Sequence, residues 1–73
     1  MDDKKLLRIF GLNLKYERTK QGLTQEKVAE ILNLSSVYIS NIEWGKCDLS
    51  LTNAQKLANF YGKTIDYLIK EKD

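Results

Sequence analysis

No proline interrupts this 73-residue chain, and its β-branched residues are scattered instead of alternating. Both facts favour a period of about 3.6 residues, and every informative segment fits it. Leu7, Phe10 and Leu14 define one stripe, and Arg18 continues it one turn on, where a core residue would stand. Gly22 closes this first helix, because glycine accepts the left-handed conformation of a helix end. Thr24 is a good N-cap for a second helix with Val28, Ala29 and Leu32 on one face. Asn33, the residue after glycine that best tolerates positive φ, ends it. Ser35 caps a third helix that buries Ile39 and Ile42, and Gly45 turns the loop that follows. Ser50 or Thr52 starts a fourth, with Leu51, Ala54, Leu57, Ala58 and Tyr61 inward; Thr64 caps a fifth carrying Ile65, Leu68 and Ile69.

The expectation is an all-α fold of five helices, over residues 4–21, 25–32, 36–43, 52–61 and 65–70, in one domain spanning 1–73. With 42% apolar residues the core is small, and self-association is one way such a chain gains stability.

Twelve basic residues against ten acidic ones give a net charge of +2, too weak to argue for a polyanion partner. The distribution is more informative. Residues 1–22 and 44–73 are net positive, and residues 23–43 are net negative. There is no histidine, so the commonest general base and metal ligand are both missing. Asp2 and Asp3 read as a frayed terminus, and Glu26 and Glu30 as a solvated pair one helical turn apart. No nucleophile has a base beside it, and no glycine-rich phosphate loop is present, so catalysis is not expected. The single Cys47 makes no internal disulfide, which suits a reducing cytoplasm. No apolar run is long enough for a membrane span, and no signal peptide is expected.

The segment 22–43, GLTQEKVAEILNLSSVYISNIE, resembles the helix-turn-helix of the XRE or Cro-type family of phage-repressor-like regulators. The resemblance runs from about Phe10 to Leu68, with the helix-turn-helix proper at 24–43. Ala29 is small where two crossing helices approach closely, Asn33 takes the tight-turn place usually held by glycine, and Leu34, Ile39 and Ile42 lock the second helix to the core. The resemblance implies an ion pair between Arg18 and Glu43, which accounts for a charge on the apolar stripe.

It further implies that the third helix enters the major groove of double-stranded DNA, with Ser36, Val37, Ser40 and Asn41 toward the bases. Only Asn41 can make a bidentate contact to adenine, and Val37 suits a thymine methyl, so a modest, A·T-leaning readout is expected. Thr24 and Gln25, at a helix N-terminus, together with Tyr38 and Lys46, are the expected phosphate contacts; Lys15 and Lys20 are weaker candidates. Trp44 departs from the polar or basic residue usual in the family; its indole can donate to a phosphate, meet a partner, or pack on its own loop. Cys47 departs likewise.

The function so implied is a small stand-alone transcriptional regulator, a homodimer on a pseudo-palindromic operator, cytoplasmic and nucleoid-associated, without cofactor, metal or small-molecule ligand. Phe60, Tyr67 and Ile69 are the expected dimer surface, Tyr67 because it falls outside the core face. Restriction-modification controllers, Cro-like phage repressors and antitoxins share this pattern. The alternative is a protein-interaction module, of antitoxin or anti-repressor type, that keeps the fold with weak or no DNA binding. The mild net charge and a third helix without lysine or arginine favour that alternative.

Overall fold

Four hydroxyl side chains set where the chain becomes helical. In the computed structural model, which describes residues 3–71, Thr24, Ser35, Ser50 and Thr64 each adopt extended backbone and accept a hydrogen bond from the amide three residues on, at 3.0–3.1 Å. They open α2 (Gln25–Leu32), α3 (Ser36–Glu43), α4 (Leu51–Phe60) and α5 (Ile65–Leu68), behind α1 (Asp3–Lys20). No strand occurs among the described residues.

One device also ends the first four helices. The amides of Leu23, Leu34, Lys46 and Lys63 donate back to the carbonyls of Arg18, Ala29, Asn41 and Ala58 at 2.8–3.1 Å. This is the closing bond of a Schellman motif, and it requires a left-handed residue just before each donor. At α2 that residue is Asn33, with φ 57°, and at α3 it is Gly45, with φ 69°.

The core joins Phe10 and Leu14 of α1, Val28 and Ala29 of α2, Ile39 and Ile42 of α3, Leu57 and Ala58 of α4, and Tyr61 and Leu68. α3 packs against both α1 and α2, while α5 rests on α1 and α4. The expectations for Leu7, Leu32 and Ile65 hold only in part, since all three are half-buried. Leu51 is a correction. Ser50, not Thr52, is the cap, which makes Leu51 the first helical residue and leaves it 78% exposed. α5 is also shorter than expected, because Ile69 closes it. Asp3 opens α1 and is not frayed, whereas Asp2 lies outside the described residues.

Two polar contacts and one glycine fix how α1 meets the rest. Asn13, an apparent interruption of the apolar pattern, is buried and donates both amide hydrogens, to Leu68 O at 2.7 Å and Lys70 O at 2.9 Å. It satisfies the open carbonyl end of α5. Arg18 meets Glu43 through two parallel bonds, Nε to Oε2 at 2.7 Å and Nη2 to Oε1 at 3.0 Å. A third guanidinium nitrogen donates to Leu23 O at 2.8 Å, and Gln25 Nε2 donates to Glu43 Oε1 at 3.0 Å. Both charged side chains are nearly buried, so the fork-on-carboxylate geometry and the added partners offset their desolvation. The hydrogen bonds that Arg18 donates to Glu43 raise its pKa against the opposing effect of burial. Tyr61, beside this pair, is pushed up to about 12, first by burial and then by the Glu43 charge.

Gly11 sits where α1 crosses the end of α3. A Cβ there would collide with the Ile42 carbonyl oxygen and stand 2.8 Å from that of Glu43. Both obstacles are backbone, so neither can swing away.

Three stability measurements follow from these contacts. Gly11→Ala forces α1 off α3 and lowers unfolding free energy in urea by about 1–3 kcal/mol. Glu43→Ala strands a buried guanidinium, at a cost of about 3–5 kcal/mol, and depresses the melting temperature far below that of Glu30→Ala. Glu30 pairs with Lys27 at 3.2 Å in solvent, and such pairs are worth about 1 kcal/mol at most. Equal melting temperatures contradict the structural role of the pair. For Tyr61, the folded pKa lies above the ordinary value of 10.0, so between there and about 12 the unfolded chain loses the proton first. Its contribution is therefore intact below pH 10 and disappears as pH rises to about 12, and Tyr61→Phe flattens that part of the stability curve.

Candidate nucleic-acid interface

α3 is only eight residues long, and its two sides have opposite tasks. Ile39, Ile42 and Glu43 are buried against α1 and α2. On a helical wheel Val37 and Asn41 fall opposite them, with Ser40 and Ser36 on the flank that leads round to Glu43. Val37 is the most open of the four, at 69% exposure, while Ser36, Ser40 and Asn41 are half-buried. The structure thus gathers these four residues on one strip of a helix whose other strip is immobilised.

The residues expected at phosphates are distributed around α2 and α3 with unequal freedom. Thr24 is exposed, and its hydroxyl oxygen is already accepting from Lys27 N while its hydrogen remains available as a donor. Gln25 is turned inward: one amide hydrogen is committed to Glu43, leaving one other for a ligand. The phosphate contact expected of Gln25 therefore shares its amide with the carboxylate of the buried pair. Tyr38 is half-buried with its hydroxyl accepting from Asn53 Nδ2 at 2.9 Å, which ties α3 to α4 and keeps the phenolic hydrogen free to donate outward. Lys46 is exposed just beyond α3.

The two weaker lysines separate clearly. Lys20 lies 3.3 Å from the Glu17 carboxylate and 5.1 Å from the Tyr16 ring, so its charge is engaged along α1. Lys15 instead stands 5.2 Å from the centroid of the Trp44 ring, at the C-terminal end of α3. Trp44 is 60% exposed and has Lys46 of its own loop 6.0 Å from its ring centroid.

Phe60, Tyr67 and Ile69 are half-buried against the core instead of forming an open apolar face. Phe60 meets Tyr61 edge-on at 4.9 Å, and the Tyr67 hydroxyl reaches the buried Glu17 carboxylate at 3.5 Å. Tyr67 had been expected outside the core face, but the Glu17 carboxylate draws its ring inward. The more open apolar side chains are Leu12, Tyr16, Ile31 and Leu51, none of which the sequence singled out as a surface. Glu17 itself, 1% exposed, was also missed. Its spacing of four from Asn13 was the available signal, since two polar residues on adjacent turns mark one helix face.

Comparison with known proteins agrees with this geometry. A family model described as helix-turn-helix matches residues 14–68. An uncharacterized HTH-type transcriptional regulator of Methanocaldococcus jannaschii is 48% identical over 61 residues, covering 82% of this chain and 92% of that protein. The control protein C.MunI of a Mycoplasma species is 36% identical, with 85% of each chain covered. Among solved structures, the restriction-modification controller protein C.AhdI from Aeromonas hydrophila superposes with a TM-score of 0.76 at 35% identity, over 85% of this chain and 94% of that one. Other relatives are longer: the chain spans 57% of a prophage-derived HTH-type regulator of Bacillus subtilis. No described helix is long and apolar enough to cross a membrane. With its capped α2–α3 unit and these matches, the chain belongs to the helix-turn-helix family of DNA-binding transcriptional regulators.

Proposed function

We propose that this chain regulates transcription by binding double-stranded DNA sequence-specifically, with α3 in the major groove and two copies on a pseudo-palindromic operator. The observation that carries this reading is the two-sided character of α3. A helix held on one side by Ile39, Ile42 and the Arg18–Glu43 pair presents Ser36, Val37, Ser40 and Asn41 at fixed positions on the other. The major groove admits one α-helix and displays a distinct donor and acceptor pattern for each base pair.

Within that strip, Asn41 is the residue able to donate to adenine N7 and accept from N6 together, and Val37 offers a methyl surface to thymine. Serines discriminate weakly. Affinity then comes largely from phosphates, met by the start of α2 at Thr24 and Gln25, by the Tyr38 hydroxyl and by Lys46. Two copies reading half-sites about one helical turn, roughly 34 Å, apart would double that contact. Phe60, Tyr67 and Ile69 remain the proposed meeting surface, in the form of partly covered rings and methyls at the α4–α5 end. The work is that of a binding protein in the cytoplasm at the nucleoid, without catalysis. It parallels the control protein C.MunI and the restriction-modification controller protein C.AhdI, to which the chain is similar.

In vitro selection from random duplex DNA tests the reading, followed by titration of the selected sequence at several salt concentrations. The expected outcome is a two-fold motif whose affinity falls steeply as salt rises. Asn41→Ala lowers discrimination at one base position of each half-site by about 1–3 kcal/mol and leaves the salt dependence unchanged. A uniform loss across all positions contradicts the role given to Asn41. A folded protein that enriches no sequence supports the protein-interaction module instead.

A further inference from the structure

The C-terminal end of α3 presents an electrostatic problem for a DNA-reading helix. Its last carbonyls carry partial negative charge, which repels phosphate, and the last turn of α3 contains no basic residue to offset it. The positive charge comes from elsewhere in the sequence. Trp44, the chain's only tryptophan, is the C-cap of α3. The ammonium of Lys15, from α1, lies 5.2 Å from its ring centroid, and that of Lys46, from the following loop, lies 6.0 Å away.

We propose that Trp44 is a positioning residue that gathers Lys15 and Lys46 into a clamp for the DNA phosphate backbone, flanking the bases that α3 reads. This rests on the reading of α3 as the groove-facing helix. The π-face of an indole attracts cations, so the ring draws together two ammonium groups that would otherwise repel. Each ammonium has three N–H donors, so one can face the ring while others remain for a ligand.

A groove beside Trp44 is lined by Leu7 and Cys47 together with Lys4 and Arg8 of α1 and Lys46, and its one acid is Asp48, so its charge favours an anionic ligand. Lys4, Arg8 and Lys15 are spaced by four and seven residues, so they follow one side of α1 for about 16 Å. Gly45 holds the loop against that side: a Cβ there would stand 2.9 Å from Arg8 Cα, and its φ of 69° is itself unfavourable to any larger residue. The groove therefore adjoins the C-terminal end of α3, where Trp44 caps the helix.

The test measures binding of a labelled random-sequence duplex by anisotropy across a salt series, for wild type, Trp44→Ala, Trp44→Phe, Lys15→Gln and the Trp44→Ala/Lys15→Gln double variant. Random sequence isolates the phosphate contribution. Trp44→Ala is expected to weaken binding roughly threefold to tenfold and to lower the slope of log affinity against log salt by about one. Trp44→Phe retains most of both, because a smaller π-face remains. The double variant loses little more than either single one, since Lys15 without the ring is no longer held at the phosphate. Wild-type slope and affinity in Trp44→Ala overturn the clamp while leaving the DNA reading intact. Equal losses in Trp44→Ala and Trp44→Phe, or strictly additive losses, overturn the ring as the platform. Wild-type protein that shows no salt-dependent binding overturns the DNA reading and the clamp together.

Discussion

The paired bonds between Arg18 and Glu43 unite three elements at one point. Arg18 ends α1, Glu43 ends α3, and the same two side chains hold Leu23 O and the Gln25 amide at the entrance to α2. A buried ion pair contributes little net stability compared with well-packed apolar groups of the same volume. Its contribution is directional. Apolar side chains tolerate small rotations of one helix on another, whereas a guanidinium fork on a carboxylate is satisfied in one relative orientation. The attitude of α3, and with it the position of its outer side, is set by this polar contact more than by the area of the core beneath it.

Gly11 completes that constraint from the opposite side. It lets the backbone of α1 press against the last carbonyls of α3, so the ion pair pulls together two helices that already touch. Attraction at Arg18 and close contact at Gly11 are seven residues apart, two turns on the same face of α1. Together they define a line of contact and not a pivot.

Much of this was legible in the sequence because its signals are local. The capping hydroxyls at Thr24, Ser35 and Thr64, the left-handed Asn33 and the apolar spacing of α2 and α3 each act within a few residues of themselves. Arg18 was legible for a different reason: a charge on an apolar stripe demands a partner, and the family resemblance supplied Glu43. What escaped depends on neighbours remote along the chain. Asn13 bonds to carbonyls 55 and 57 residues away, and nothing near it announces them. Gly11 reads as an ordinary weak helix former until α3 is laid across it. Leu51 was misassigned because a one-residue choice between two possible caps rotates the whole apolar face of a short helix. The four residues expected on the outer strip of α3 came from the family resemblance, while the inward turn of Gln25 and the lysines over Trp44 required the tertiary arrangement.

The four-residue α5 is far too short to persist as a free helix, since nucleating the first turn is itself unfavourable. It exists because Leu68 is sealed in the core and because Asn13 holds the carbonyls at its end. Such a segment opens at lower energy than the body it rests on. Exchange of its amides with solvent can proceed while α1, α2 and α3 stay closed. The protein thus divides into a stiff part, which contains α3, and a softer margin beside it.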